Sequence, residues 1–139
     1  MTRYVLDASA VLRYVEDGPG AMKVERILQD ARNAACEVLI SAVNWGEVLY
    51  VLRRKLDHRN AAVTTRSLRS LPLLIVDARE ADAEAAAEFK ERYLIAYADC
   101  FAAALARGTR ATLITSDFDF KVCQSALSID FLPALGRTS

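Results

Sequence analysis

Cysteine and histidine are scarce in this sequence, which contains three cysteines and one histidine among 139 residues. The cysteines, Cys36, Cys100 and Cys123, are odd in number and lie far apart, and His58 stands alone. These numbers exclude a paired disulfide framework and a Cys/His zinc knuckle. We therefore expect a protein of the reducing cytoplasm.

Long apolar runs and an excess of charge of one sign are also missing. No run approaches the roughly 18 apolar residues that span a bilayer, and Arg3, Asp7 and Arg13 interrupt the N-terminus before a signal-peptide core can form. We expect neither secretion nor membrane insertion. Eighteen Lys and Arg balance eighteen Asp and Glu. A nucleic-acid partner would therefore need a local basic patch, because the protein as a whole is neutral.

Size and composition favour a single domain over residues 1–139. Hydrophobic residues make up 53% of the chain and charged residues 26%, which is enough for an ordinary core and argues against disorder. Two full domains would each be unusually small at this length.

Short β-branched apolar segments alternate with segments of helical periodicity along the chain. The expected strands are continuous apolar runs, which are typical of parallel strands covered on both faces. The pattern predicts an α/β fold whose ligands gather at the carboxyl ends of the strands. Predicted strands cover residues 4–6, 38–40, 73–76 and 111–115, and a short fifth could follow at 128–131. Predicted helices cover 9–16, a segment ending near 33, segments through 48–52 and 68–71, then 80–89 and 98–107. Gly108 is expected to end the last of these helices.

Carboxylates follow three of the predicted strands. Asp7 ends the first strand, Asp77 ends the third, and Asp117 lies two residues past the fourth. The carboxyl ends of parallel strands meet at one edge of a sheet, so these side chains can converge there. Taken singly, each acid is better explained as a turn or capping residue, and only their joint placement favours a function.

Two further acids lie on predicted helices. Glu47 follows Asn44 by three residues, so the two share a helix face, and Asp99 lies in a first helical turn, where the helix dipole alone would favour it. Asp119 is a near neighbour of the acid at position 117. Carboxylates gathered within about 4–6 Å repel one another unless a cation neutralises them. A set of carboxylates without imidazole or thiolate suits Mg²⁺ or Mn²⁺, and phosphate chemistry follows from that choice.

Four motifs occur in order along nearly the whole chain: VLDASAVL at 5–12, VNWGEV at 43–48, YADCFAAALA at 97–106 and TSDFDF at 115–120. Each motif alone is weak, but the ordered set resembles the PIN-domain family, and within it the VapC-type toxins. The resemblance implies a three-layer α/β/α fold with a parallel, roughly five-stranded sheet. It also implies that four acids are both catalytic and metal-binding, namely Asp7, Glu47, Asp99 and Asp117. Asp119 would be a fifth metal ligand.

Hydroxyl residues occupy two further family positions. By the resemblance, Ser9 and Thr115 would orient the ligand carboxylates or a bound water. The alternatives are a helix N-cap for Ser9 and an ordinary strand residue for Thr115. Asp77 has no counterpart among the family's ligands, and we expect it to cap the next helix.

The reaction implied by the resemblance is hydrolysis of RNA by an endoribonuclease that depends on Mg²⁺ or Mn²⁺ and uses an activated water. The family also implies a homodimer and a cognate antitoxin of the VapB type, as part of a type II toxin–antitoxin module in the cytoplasm. Two other readings remain open. The second is a PIN module that binds RNA or a protein partner without cutting, and the third is a different phosphohydrolase.

A basic stretch follows the third predicted helix. Positions 53 to 69 contain six basic residues and one acid, Asp57. The stretch either tracks an RNA backbone or is an ordinary solvated helix face. Trp45 belongs either to the core, which its size favours, or to a groove for a partner helix. The residues predicted to contact RNA are Arg53, Arg54, Lys55 and Arg59.

Overall fold

The computed structural model describes residues 1–136 and contains one five-stranded sheet, in which every pairing is parallel. The α/β class and the parallel sheet predicted from the sequence are confirmed. The elements in chain order are β1 (Thr2–Leu6), α1 (Ala8–Val15), α2 (Ala21–Arg32), β2 (Cys36–Ser41), α3 (Ala42–Lys55), α4 (His58–Arg69), β3 (Leu74–Val76), α5 (Glu80–Tyr93), α6 (Tyr97–Thr109), β4 (Thr112–Thr115), a 3₁₀ helix (Phe118–Cys123) and β5 (Ile129–Phe131).

Successive strand residues pack into different cores on the two faces of the sheet. Leu6 and Ile114 join the core formed with α1 to α4, whereas Val5 and Leu113 join the core formed with α5 and α6, and all four are at most 1% exposed. This follows from the alternation of side chains along a strand. The three layers thus arise because each strand is apolar on both faces.

The order of the strands, β3-β2-β1-β4-β5, makes β1 the central strand. The chain moves outward from β1 through β2 to β3, then returns to the other side of β1 to form β4 and β5. Leu6 pairs with Ile114, and the amide of Asp7 donates to the carbonyl of Ile114 at 3.3 Å. The switch point of this topology, where parallel sheets bind ligands, therefore lies between the ends of β1 and β4.

The helix α5 begins at Glu80, as predicted, but its capping residue differs from the sequence prediction. The helix begins after Arg79, whose amide donates to Asp82 Oδ2 at 2.8 Å, so Asp77 is not its cap. Asp77 lies outside the first turn and is exposed. The helix also continues past residue 89, because buried Phe89 holds this part of the helix against the core, and it ends at Tyr93.

The end of α6 differs as well. Gly108 lies inside the helix, which continues to Thr109. Arg110 makes the turn instead, with a φ of 57° and an amide that donates to the carbonyls of the last helical turn. A glycine is favoured at such a left-handed position but is not required there.

The core position that the size of Trp45 favours is confirmed. Trp45 is 6% exposed and belongs to the core on the α1 to α4 side, and all three cysteines are buried and free. Ser41 caps α3 by accepting a hydrogen bond from the amide of Val43 at 3.2 Å. Over the described residues 1–136, no helix is both long enough and apolar enough to cross a membrane.

Candidate active site

Asp7 lies between the end of β1 and the start of α1. Its Oδ1 accepts from the amide of Ala10 at 2.9 Å, which makes Asp7 the N-cap of α1. The residue is 2% exposed, and burial raises the pKa of its carboxyl group to about 6, although hydrogen bonds to the ionised form oppose that increase. Asp7 therefore both begins a helix and carries a charge that this environment disfavours.

Two hydroxyl groups hold the two oxygens of the Asp7 carboxylate, and the hydroxyl oxygens lie 3.3 Å from each other. Ser9 Oγ donates to Asp7 Oδ1 at 2.7 Å, and Thr115 Oγ1 donates to Asp7 Oδ2. Each hydroxyl oxygen also accepts a backbone amide from the β4 end, that of Ser116 at 2.9 Å for Ser9 and that of Asp117 at 2.9 Å for Thr115. The N-cap alternative for Ser9 is wrong. Both hydroxyls orient Asp7, and Thr115 is more than an ordinary strand residue.

Glu47 is held by a residue that the sequence analysis had not assigned to the site. Asn44 is fully buried, and its Nδ2 donates to Glu47 Oε1 at 2.8 Å and to the carbonyl of Ala98 at 3.1 Å. Asn44 thus ties α3 to the first turn of α6, which carries Asp99. The three-residue spacing to Glu47 was the only signal for this contact in the sequence, because Ala98 is 54 residues away.

Asp99 is the most perturbed carboxyl group of the site. Its pKa is raised to about 7, first by burial and then by four other acids. A carboxylate whose charge is disfavoured by so many neighbours is typical of a functional site. The four acids that raise the pKa of Asp99 are the remaining members of the sequence-predicted set: Asp117, Asp7, Glu47 and Asp119.

Asp117 and Asp119 are close in sequence but differ in exposure. Asp117 follows β4, and its Oδ1 accepts the amide of Asp119 at 2.9 Å, which begins the 3₁₀ helix. Asp117 is partly buried, whereas Asp119 is exposed. Asp77, at the end of β3, lies on an edge strand that β2 and β1 separate from β4. Four of the predicted acids therefore lie close enough to Asp99 to raise its pKa, whereas Asp77 follows a strand at the edge of the sheet.

The donor set of this site fits a hard divalent cation. It consists of carboxylates, without imidazole or thiolate, and these carboxylates repel one another in the absence of a cation. As they lie in the structure, no three His, Cys, Asp or Glu side chains within residues 1–136 form a group that would hold a metal ion. The acids thus interact electrostatically but do not surround a common point.

The four basic residues predicted to contact RNA differ in their surroundings. Arg53 lines an open groove between α3 and α4 with a volume of about 610 Å³. Lys55 Nζ instead lies 2.9 Å from Glu16 Oε1 in an exposed ion pair, while Arg54 and Arg59 are exposed and do not line that groove.

Comparison with known proteins gives a match to the PIN domain model over residues 4–124. No curated protein matches the sequence. Among solved structures, VapBC2 from Rickettsia felis, bound to a promoter DNA fragment, is similar with a TM-score of 0.77 and 18% identity, covering 95% of this chain and 100% of that chain. VapBC-1 from nontypeable Haemophilus influenzae is similar with a TM-score of 0.71 and 15% identity, covering 94% and 98%.

A third similar structure is VapC20 from Mycobacterium tuberculosis, described as a toxin that cleaves the sarcin-ricin loop. Its TM-score is 0.67 at 22% identity, and the match covers 86% of this chain and 94% of that one. At these identities the structural likeness concerns the fold. The match over residues 4–124 and the shared fold together establish that this chain belongs to the PIN domain family.

Proposed function

We propose that this protein is an endoribonuclease that requires Mg²⁺ or Mn²⁺ and acts as the toxin of a type II toxin–antitoxin module. The observation that carries the proposal is the convergence of four other acids on Asp99, each of which raises the pKa of its carboxyl group. Gathering like charges at a sheet edge destabilises the fold, so the arrangement calls for a function. Hydrolysis of a phosphodiester, with Mg²⁺ or Mn²⁺ at the site, uses such a set of carboxylates.

We assign the cation to four principal ligands and one accessory ligand. When bound, the ion would lower the pKa of a water and stabilise negative charge on the scissile phosphate. Because the acids do not surround a common point, side-chain rotation would accompany binding. The principal ligands, which we also propose as the catalytic residues, are Asp7, Glu47, Asp99 and Asp117. The accessory ligand is the exposed acid Asp119.

The chain's own hydrogen bonds define roles for the neighbouring residues. Ser9 and Thr115 keep the Asp7 carboxylate in one orientation by donating to its two oxygens. Asn44 does the same for Glu47 Oε1. Fixed carboxylates lose less freedom when they bind, so we expect these positioning residues to affect metal affinity.

The similarity to VapBC structures supports a VapB-type antitoxin as partner. We also propose that the toxin is a homodimer. We further propose that residues 1–139 form one PIN domain and that the protein acts in the cytoplasm, as its three unpaired cysteines suggest. RNA is the proposed substrate.

The alternative function does not require a bound metal ion. In that case the chain would be a PIN module that binds RNA or a protein without cutting.

Cleavage of total RNA by purified protein freed of any partner, with Mg²⁺, Mn²⁺ or EDTA, separates the two functions. We expect cutting that needs the divalent ion and disappears in Asp7→Asn and in Asp99→Asn, while Asp77→Asn, a strand-end acid outside the site, retains it. Calorimetry with Mn²⁺ gives the second readout. No cutting together with no Mn²⁺ binding would reject the ribonuclease and favour the non-catalytic module.

A further inference from the structure

The groove between α3 and α4 is lined by one stripe of α4 and by Arg53 of α3. The α4 residues recur at intervals of three and four, so they form a single face of the helix. From position 58 to position 69 this face is about 16 Å long at 1.5 Å per residue. The lining residues from α4 are His58, Ala61, Ala62, Thr65, Arg66 and Arg69.

The groove carries positive charge that acids of this chain do not neutralise. Within residues 1–136, no ion pair is formed by Arg53, Arg66 or Arg69. The one acid of the segment, Asp57, is engaged at the start of α4, where its Oδ1 accepts the amide of Asn60 at 2.8 Å. Three arginines around one open groove therefore remain available to an anion.

Arg69 is held in place by the core. Its guanidinium carbon lies 5.3 Å from the centroid of the buried Trp45 ring, a cation–π contact. Trp45 follows Asn44, which holds the proposed metal ligand Glu47. Arg53 lies six residues beyond Glu47 on α3, about 9 Å along the helix axis. The groove and the acidic site thus share one helix.

We propose that this groove binds the phosphodiester backbone of a single RNA strand, as a site separate from the acidic residues. This inference rests on the ribonuclease function proposed above and names the surface that holds its substrate. Three arginines spread over a face about 16 Å long suit a short run of phosphates on one strand. Arginine is the side chain best suited to phosphate, because its planar fork donates two hydrogen bonds.

The lining favours RNA over a protein helix. A docked amphipathic helix needs apolar pockets for anchors at helical spacing, and the apolar part of this lining consists of Ala61 and Ala62. A backbone-tracking groove needs only charge and room, and small residues on its floor provide room.

Fluorescence anisotropy with a labelled, unstructured RNA of about 12 nucleotides tests the proposal, since single-strand sites span about 4–16 nucleotides. Titrations of the full chain in EDTA, from about 50 to 200 mM KCl, measure binding without cleavage. Three phosphate contacts predict a salt slope of about 2, at about 0.7 per contact on a single strand. Arg53→Gln and Arg66→Gln should each lower the slope by about 0.7.

Matched variants separate the groove from general charge. Arg26→Gln removes an exposed arginine of α2, far along the chain from the groove, and should keep the affinity and slope of the wild type. Arg54→Gln and Arg59→Gln remove members of the charge run outside the groove lining and should change the slope less than the groove variants. Equal effects from these variants, or wild-type slopes for Arg53→Gln and Arg66→Gln, would overturn the proposal. Tighter binding of a poly-glutamate peptide than of RNA would also overturn it.

The cleavage assay provides an independent readout. If the enzyme cuts RNA, groove variants should raise KM and leave kcat unchanged, because the groove holds RNA away from the reacting phosphate. A fall in kcat with KM unchanged would contradict this role. Binding is measured in EDTA, so it does not depend on cleavage. If the groove binds RNA but the protein cuts no RNA with Mg²⁺ or Mn²⁺, the proposed ribonuclease function is refuted while the proposed RNA-binding groove stands.

Discussion

Replacing Asp99 by Asn should stabilise the metal-free protein while removing its activity. The pKa of Asp99 is raised from 3.8 to about 7, so the folded state holds this proton more tightly than the unfolded chain does. A raised carboxyl pKa makes folding less favourable as the pH rises, here from about pH 4 to pH 7. The wild type without metal should therefore be less stable at pH 8 than at pH 5.

The magnitude follows from the size of the pKa difference. Three pH units at about 1.4 kcal/mol each give an upper bound of about 4 kcal/mol at pH 8. Asp99 is only partly buried, so solvent screening reduces this to about 2 kcal/mol. Asn removes the charge and also its favourable contact with the N-terminus of α6, worth about 0.5 kcal/mol. The expected net gain is about 1.5 kcal/mol.

Urea unfolding followed by circular dichroism, in EDTA at pH 5 and pH 8, measures this gain. Asp99→Asn should unfold at higher urea than the wild type at pH 8, and its stability should vary less with pH. Asp77→Asn, which changes an exposed strand-end acid outside the cluster, should stay within about 0.5 kcal/mol of the wild type. Mn²⁺ should stabilise the wild type more than Asp99→Asn. If Asp99→Asn at pH 8 equals the wild type or falls below it, with unchanged denaturant slopes, the repulsion argument is refuted.

Three further predictions concern the groups around the acids and the core. Thr115→Val should raise the pKa of Asp7 further, measured by NMR titration of the carboxyl group, and weaken Mn²⁺ binding; Thr115→Ser should restore both, and an unchanged Asp7 pKa in the Val variant would contradict the hydrogen-bond role. Asn44→Ala should cost about 1–3 kcal/mol of unfolding free energy, because it removes a buried bridge, and should lower the Mn²⁺ affinity measured by calorimetry through the release of Glu47; wild-type affinity would remove Asn44 from the site. Leu113→Ala, at a fully buried position, should cost about 2–5 kcal/mol in urea unfolding, and a loss below about 1 kcal/mol would argue against that packing.

The local sequence pattern predicted the positions of strands and helices better than it predicted where the helices end. The apolar runs that contain Val5 and Leu113 predicted central parallel strands, and both residues are fully buried in the sheet. The predicted C-terminal ends of α5 and α6 were wrong, because the point at which a helix ends depends on what its last turn packs against. Phe89 keeps α5 going past its acidic, alanine-rich start, and Arg110 adopts the left-handed turn that Gly108 was expected to make.

The sequence by itself determined the fold class and the parallel sheet, and it predicted the members of the acidic set through the family resemblance. Hydrophobic periodicity reports which faces of each element are buried, and the four ordered motifs carry the acids as neighbours of recognisable elements. Asp7 and Asp117 were nominated by their positions after strands, before any distance was known.

Only the tertiary structure decided which of these residues meet. The strand order sets the end of β1 beside that of β4 and sends β3 to the far edge, which joins Asp7 to Thr115 and leaves Asp77 outside. The contact of Asn44 with Ala98 and the groove lined by Arg53 and α4 likewise join distant segments. The physical reason is that burial and periodicity are properties of neighbouring residues, whereas the meeting of strand ends and helix faces depends on how whole elements pack.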